Sequence, residues 1–169
     1  NPFDGFAVEA NSSPELGDLD GDGDFDAVIG QIDGSLGPLQ NNGSSAQPSF
    51  EVWALGTDPL SGLDLGSISV PSWGDLDGDG DLDLVVGSGE GEIRYFENTG
   101  TLRQPAPVDR IGSGNAFAGI DVGYDSAPLL VDIDGDGDLD AFVGETFGGL
   151  RFFLNVGNPA AASFEERTG

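Results

Sequence analysis

Three nine-residue runs of alternating aspartate carry the chemical signal: DLDGDGDFD from Asp18 to Asp26, DLDGDGDLD from Asp75 to Asp83 and DIDGDGDLD from Asp132 to Asp140. In each run aspartates occupy the first, third, fifth, seventh and ninth positions, with glycine at the fourth and sixth, so fifteen of the 31 acidic residues lie here. Carboxylates this close repel one another unless a cation neutralises them. Calcium suits the pattern because it takes about six to eight hard oxygens at adaptable geometry, while the glycines let the backbone curl around it. Magnesium demands a tighter octahedron and keeps more of its water. The runs therefore predict three calcium ions. The side-chain ligands are Asp18, Asp20, Asp22 and Asp26; Asp75, Asp77, Asp79 and Asp83; and Asp132, Asp134, Asp136 and Asp140. At the seventh position Asp24, Asp81 and Asp138 contribute a backbone carbonyl.

An EF-hand loop opens with the same D-x-D-x-D-G and would imply flanking helices, so the twelfth position decides between the two. An EF-hand places a bidentate glutamate there; this chain has Ile29, Val86 and Val143, each inside an apolar run. The loops thus read as metal-bound turns between strands. Solvated acidic turns without metal are the plainer alternative, and the threefold recurrence of a nine-residue pattern weighs against it.

The elements that must hold these loops follow from their spacing. The runs recur every 57 residues, and three such units account for nearly all of the 169 residues. The units are 1–57, 58–114 and 115–169. Each acidic run follows a proline four residues upstream (Pro14, Pro71, Pro128) and precedes a short apolar run: Ala27 to Gly30, Leu84 to Gly87, Ala141 to Gly144. A third segment alternates apolar and polar residues, in Glu92 to Asn98 and Leu150 to Asn155, as a half-buried strand does. A fourth, weaker strand falls around Phe50 to Leu55, Pro107 to Ile111 and Ser163 to Arg167. No segment has helical periodicity over ten residues. The expected fold is all-β, three four-stranded blades of β-propeller type, because a sandwich would not divide its strands into equal blocks.

Composition excludes several functions. With 31 acidic residues, five Arg and no Lys, the net charge of -26 repels phosphate backbones and anionic lipid, which argues against nucleic-acid or membrane-surface partners. The absence of Cys, His and Met removes thiol and imidazole chemistry, disulfides and soft-metal sites. No apolar run approaches the ~18 residues of a membrane span. The chain opens at Asn1 with no secretory signal, and reads as a processed product or a cut segment.

These motifs resemble the FG-GAP, or VCBS, repeat family, whose known members include the β-propeller head of integrin α subunits. Bacterial members are especially similar. Their N-P-F-x-G-x-x-V element corresponds to NPFDGFAV from Asn1, DPLSGLDL from Asp58 and NAFAGIDV from Asn115; their Y-F-E-N-T-G element is clearest from Ile93 to Gly100. The resemblance implies calcium in β-hairpin loops, secretion or surface display, and an adhesive or scaffolding role. The first unit departs from it: Gly37 and Pro38 replace blade-filling side chains, so that strand is expected at an edge, bulged or against another chain.

Three blades are fewer than a closed propeller's usual four to eight or so. Joining Gly169 to Asn1 reproduces the internal junction from Phe50 to Leu63, which predicts either a cut from a longer array or copies associating head to tail through the segment Ser163 to Gly169. The favoured function is an extracellular calcium-stabilised structural or adhesive repeat protein, with glycans or surface proteins as further partners. A glycosidase-type enzyme using Glu90 and Glu92, or Glu165 and Glu166, is disfavoured because such glutamates in turns are ordinarily solvated charge. A sugar-binding module would use Trp53, Trp73, Tyr95 and Tyr124 as stacking faces; packing between blades is their plainer role.

Overall fold

The structure, a computed structural model, describes residues 3–7, 10–54, 57–63, 65–158 and 160–168. Asn1, Pro2, Val8, Leu55, Gly56, Asp64 and Gly169, which enter the expected unit starts and junctions, lie outside the described residues. The first sheet contains β1 (Ser13–Gly17), β2 (Asp26–Gly30), β3 (Leu36–Asn41) and β4 (Phe50–Val52). In the second are β5 (Val70–Gly74), β6 (Asp83–Gly87), β7 (Ile93–Asn98) and β8 (Pro107–Arg110). The third holds β9 (Ala127–Val131), β10 (Asp140–Gly144), β11 (Leu150–Asn155) and β12 (Phe164–Glu166). Each sheet is an antiparallel meander in chain order, and none closes on itself. Four-stranded sheets in all three units agree with the expected all-β reading. β12 pairs with β11 of its own sheet, so the C-terminal strand is already used within its own unit.

Register repeats with the sequence. Gly17 pairs with Asp26 and Gly74 with Asp83, so each acidic run is the loop of a hairpin whose second strand begins at the ninth aspartate. Side chains alternate between the two faces of a strand, yet β2 and β6 are buried at every residue. That happens because sheets cover both faces or a connecting segment fills the second. Between the first and second sheets, Leu19, Val28 and Trp53 meet Leu84, Val86 and Phe96, with Leu60 and Leu65 of the connection filling the gap. Between the second and third, Leu76, Val85, Ile93 and Tyr95 meet Ala141, Val143 and Phe153. There Phe117 enters from the connection and stacks on Phe164 at 4.4 Å. Burying a side chain such as Phe96 or Phe153 contributes roughly 1.5–3 kcal/mol. In β10 the pattern breaks, and Phe142 and Gly144 are only half-buried.

The strand carrying Gly37 and Pro38 is not at an edge. β3 lies between β2 and β4 and keeps regular register with both. The Pro38 carbonyl accepts the Trp53 N–H at 3.2 Å, so the missing proline N–H falls on the β4 side, beyond the last paired residue of β4. The ladder to β2 therefore loses nothing, and proline is tolerated inside the sheet.

Candidate metal centre

Closely similar local bonds shape the three acidic loops, the first differing in one donor. Both oxygens of the first aspartate accept loop N–H groups: Asp18 from Asp22 and Gly23 (3.1 and 3.0 Å), Asp75 from Gly78 and Gly80 (2.7 and 3.0 Å), Asp132 from Gly135 and Gly137 (2.7 and 3.2 Å). The third and fifth aspartates each accept the N–H two residues on, as in Asp77 from Asp79 at 3.2 Å and Asp79 from Asp81 at 2.9 Å. Curling this tightly requires left-handed backbone at the fourth and sixth positions, where Gly78 has φ 74° and Gly80 φ 93°. Gly21 and Gly23, and Gly135 and Gly137, repeat that geometry, which other residues adopt only with strain.

The result is three carboxylate trios, Asp18/Asp20/Asp22, Asp75/Asp77/Asp83 and Asp132/Asp134/Asp136, each with ligand oxygens within 4.8 Å of one another. Asp26, Asp79 and Asp140 fall outside these trios. In the third loop the Asp138 Oδ1 is buried with no hydrogen-bond partner. Burial first, and then the neighbouring carboxylates of Asp136 and Asp132, hold that carboxyl above its ordinary value. Oxygen-only donors, glycine-permitted curvature and unrelieved repulsion suit a hard divalent cation.

The ninth aspartates do more than the spacing suggests. Asp26, Asp83 and Asp140 are buried, and each bridges two backbone amides. Asp26 accepts from Leu19 and Asn41 at 2.9 and 2.8 Å, Asp83 from Leu76 and Asn98 at 2.9 and 2.8 Å, and Asp140 from Ile133 and Asn155 at 3.2 and 2.8 Å. Asp83 also accepts the Tyr95 hydroxyl at 3.1 Å. Each ties its acidic loop to the end of the third strand. The asparagine there is the partner that sequence reasoning missed: Asn98 Oδ1 accepts Gly100 and Ala106 N–H, bracing the next turn. Asn41 and Asn155 do the same, and their 57-residue spacing was the available signal.

Burial pushes the carboxyls of Asp26 and Asp83 up to about 6, against the lowering effect of the amides they accept. A folded value raised above the unfolded one means stability that is full below about pH 4 and lost as pH rises through about 6. In chelator, urea unfolding should therefore show these two groups weakening the fold between pH 4 and 7. Asp26→Asn with Asp83→Asn should flatten that component; an unchanged slope would refute it.

The other candidates are placed elsewhere. Glu165 and Glu166 are split: Glu166 is bidentate to Arg151 at 2.7 Å, while Glu165 pairs with Arg167 at 3.2 Å. Glu90 accepts the Ser67 hydroxyl at 2.9 Å. Of the aromatic residues, Trp53 and Tyr95 are buried and Trp73 packs against the first core, leaving Tyr124 exposed, edge-on to Phe147 at 5.9 Å.

No curated protein matches this chain. The FG-GAP-like repeat matches twice, over residues 18–86 and 75–125, and both stretches begin at the first aspartate of an acidic loop. Since those matches cover more than half of a chain built from three like sheets, each with its own acidic hairpin loop, this protein belongs to the FG-GAP-like repeat family.

Proposed function

We propose that the protein is an extracellular adhesive or structural repeat module in which each acidic hairpin loop holds one calcium ion. The observation that carries this reading is the threefold carboxylate trio on a glycine-curled loop. The first, third and fifth aspartates, the ninth, and the backbone carbonyl of the seventh supply the oxygens in each loop. Bound calcium would supply no chemistry beyond charge neutralisation and cross-linking of the hairpin. Family membership supports the adhesive role and the extracellular setting, and no helix among the described residues is long and apolar enough to cross a membrane.

Titration calorimetry tests the reading. The expected result is uptake of three calcium ions per chain with little competition from magnesium. Four carboxylates per site should place the affinity above that of weak extracellular modules, whose dissociation constants are about 10⁻⁴ to 10⁻³ M. No heat and no uptake would overturn it. A glycan-binding role rests on the exposed Tyr124 and Phe147 pair, and a glycan array with and without calcium discriminates the two roles.

A further inference from the structure

The two contacts between sheets are built to one pattern. At the first, the Ser69 hydroxyl accepts the Gln31 N–H at 2.9 Å and donates to the Ser35 carbonyl at 2.7 Å, while Ser69 N–H reaches the Gln31 carbonyl at 3.0 Å. At the second, Ser126 repeats this with Ser88 and Glu92, at 2.8, 2.7 and 3.0 Å. Both serines are wholly buried. A glycine makes room for each: a Cβ on Gly30 would lie 2.0 Å from the Ser69 carbonyl oxygen, and one on Gly87 2.0 Å from that of Ser126.

Fifty-seven residues further on, the third sheet carries the same socket. Gly144 stands in the place of Gly30 and Gly87, Glu145 in that of Gln31 and Ser88, Gly149 in that of Ser35 and Glu92. Here a Cβ on Gly144 would meet only Ala127 atoms at 3.9 Å, and one on Gly148 would meet nothing within 4 Å. The same outward face leaves Leu129, Ile133 and Leu150 more than half exposed. At the other end of the chain, Ser12 and Pro14 correspond to Ser69 and Pro71 and are exposed, as are Leu16 and Phe25. Their counterparts Trp73 and Leu82 close on Gly17, and Leu130 and Leu139 close on Gly74.

We propose that the outward face of the third sheet is a socket for the first sheet of a second copy of this chain, with Ser12 entering beside Gly144. The occupant is argued from complementarity: the chain contains both halves of a contact it already makes twice within itself. Two positions depart: Val131 stands where Gly17 and Gly74 stand, and Leu129 stands where Glu15 and Ser72 accept the entering Trp73 and Leu130 N–H groups, so the contact between copies is looser than the internal ones. Such a contact is heterologous and closes into a ring or continues as a filament. The charge of -26 per chain opposes it, so calcium and physiological salt favour it. The inference rests on the repeat reading above, and deepens it by naming the partner.

Light-scattering mass in calcium and ~0.15 M salt, a level that screens exposed charges beyond about 8 Å, tests it with two variants of the 169-residue chain. Gly144→Val blocks the socket, and Ser12→Ala with Leu16→Asp blocks the entering face; neither touches an acidic loop. Wild type is expected to grow in mass with concentration, each variant to stay monomeric with an unchanged melting point, and an equimolar mixture of the two to stop at a dimer. A wild type that stays monomeric throughout overturns the proposal and leaves the socket to a different protein or a further repeat. Assembly of Gly144→Val as large as wild type also overturns it. Melting the same samples with and without calcium keeps the two readings apart: calcium-dependent melting without assembly sinks this inference alone, and assembly with calcium-independent melting sinks the metal reading alone.

Discussion

Stripping calcium is expected to lower the thermal unfolding midpoint of this protein by tens of degrees. Ions that bind the folded chain alone stabilise it by mass action, about 2.7 kcal/mol per site when free calcium is a hundredfold above the dissociation constant. For a domain of this size each kcal/mol moves the midpoint by roughly 2–4 °C, so three sites together act strongly. The loops explain why the loss should be large. Without an ion the Asp75, Asp77 and Asp83 oxygens lie within 4.8 Å of one another, with Asp75 fixed by the Gly78 and Gly80 N–H groups. Burial first, and the Asp79, Glu97 and Asp75 carboxylates after it, hold the Asp77 carboxyl above its ordinary value against the lowering effect of the Asp79 N–H it accepts. Asp79→Ala should lower the midpoint by about 5–10 °C in calcium, one site's share, and shift it little in chelator. Scanning calorimetry in both buffers reads this directly, and equal losses in the two would mean that Asp79 serves the turn without a metal.

Asp83→Ala should behave in the opposite way, destabilising the protein with or without calcium. Its carboxylate is buried and accepts Leu76 N–H, Asn98 N–H and the Tyr95 hydroxyl. Truncation orphans all three donors in a water-excluded place, at about 1–3 kcal/mol each. A total of several kcal/mol is a large part of the ~5–15 kcal/mol that holds a typical domain together. Asp83→Asn keeps one acceptor oxygen and should recover part of the loss in chelator, though not in calcium. Urea midpoints for the two variants decide it. A mild Asp83→Ala effect in chelator would show that the ninth aspartate acts on the metal only.

Much of this architecture is local and therefore readable from residue order. Hairpin loops, their glycines and the strands on either side depend on contacts within about ten residues. The DxDGDGDxD runs placed the loops correctly, and the period-2 pattern of Glu92 to Asn98 anticipated β7 to within one residue. The weak fourth strands were found because they recur at the same offset in every unit, at Phe50, Pro107 and Phe164.

What the chain order could not decide are matters of distance and face. Whether Pro38 breaks a strand depends on which neighbour its missing N–H would have met, and that is known only once β4 is seen to end at Val52. Whether Asp83 is one more ligand or the clasp of the sheet depends on Asn98, fifteen residues away along the chain and 2.8 Å away in space. Trp53 and Tyr95 look alike as stacking faces until sheet packing buries them and leaves Tyr124 outside. Repetition in the sequence determined that the protein is three copies of one hairpin-loop unit, because local turn chemistry and strand alternation act within each copy. Tertiary structure alone decided that Gly30 and Gly87 are filled contacts while Gly144 meets only Ala127, because a glycine is the same residue in all three places until a serine carbonyl oxygen packs 2.0 Å from where its Cβ would lie.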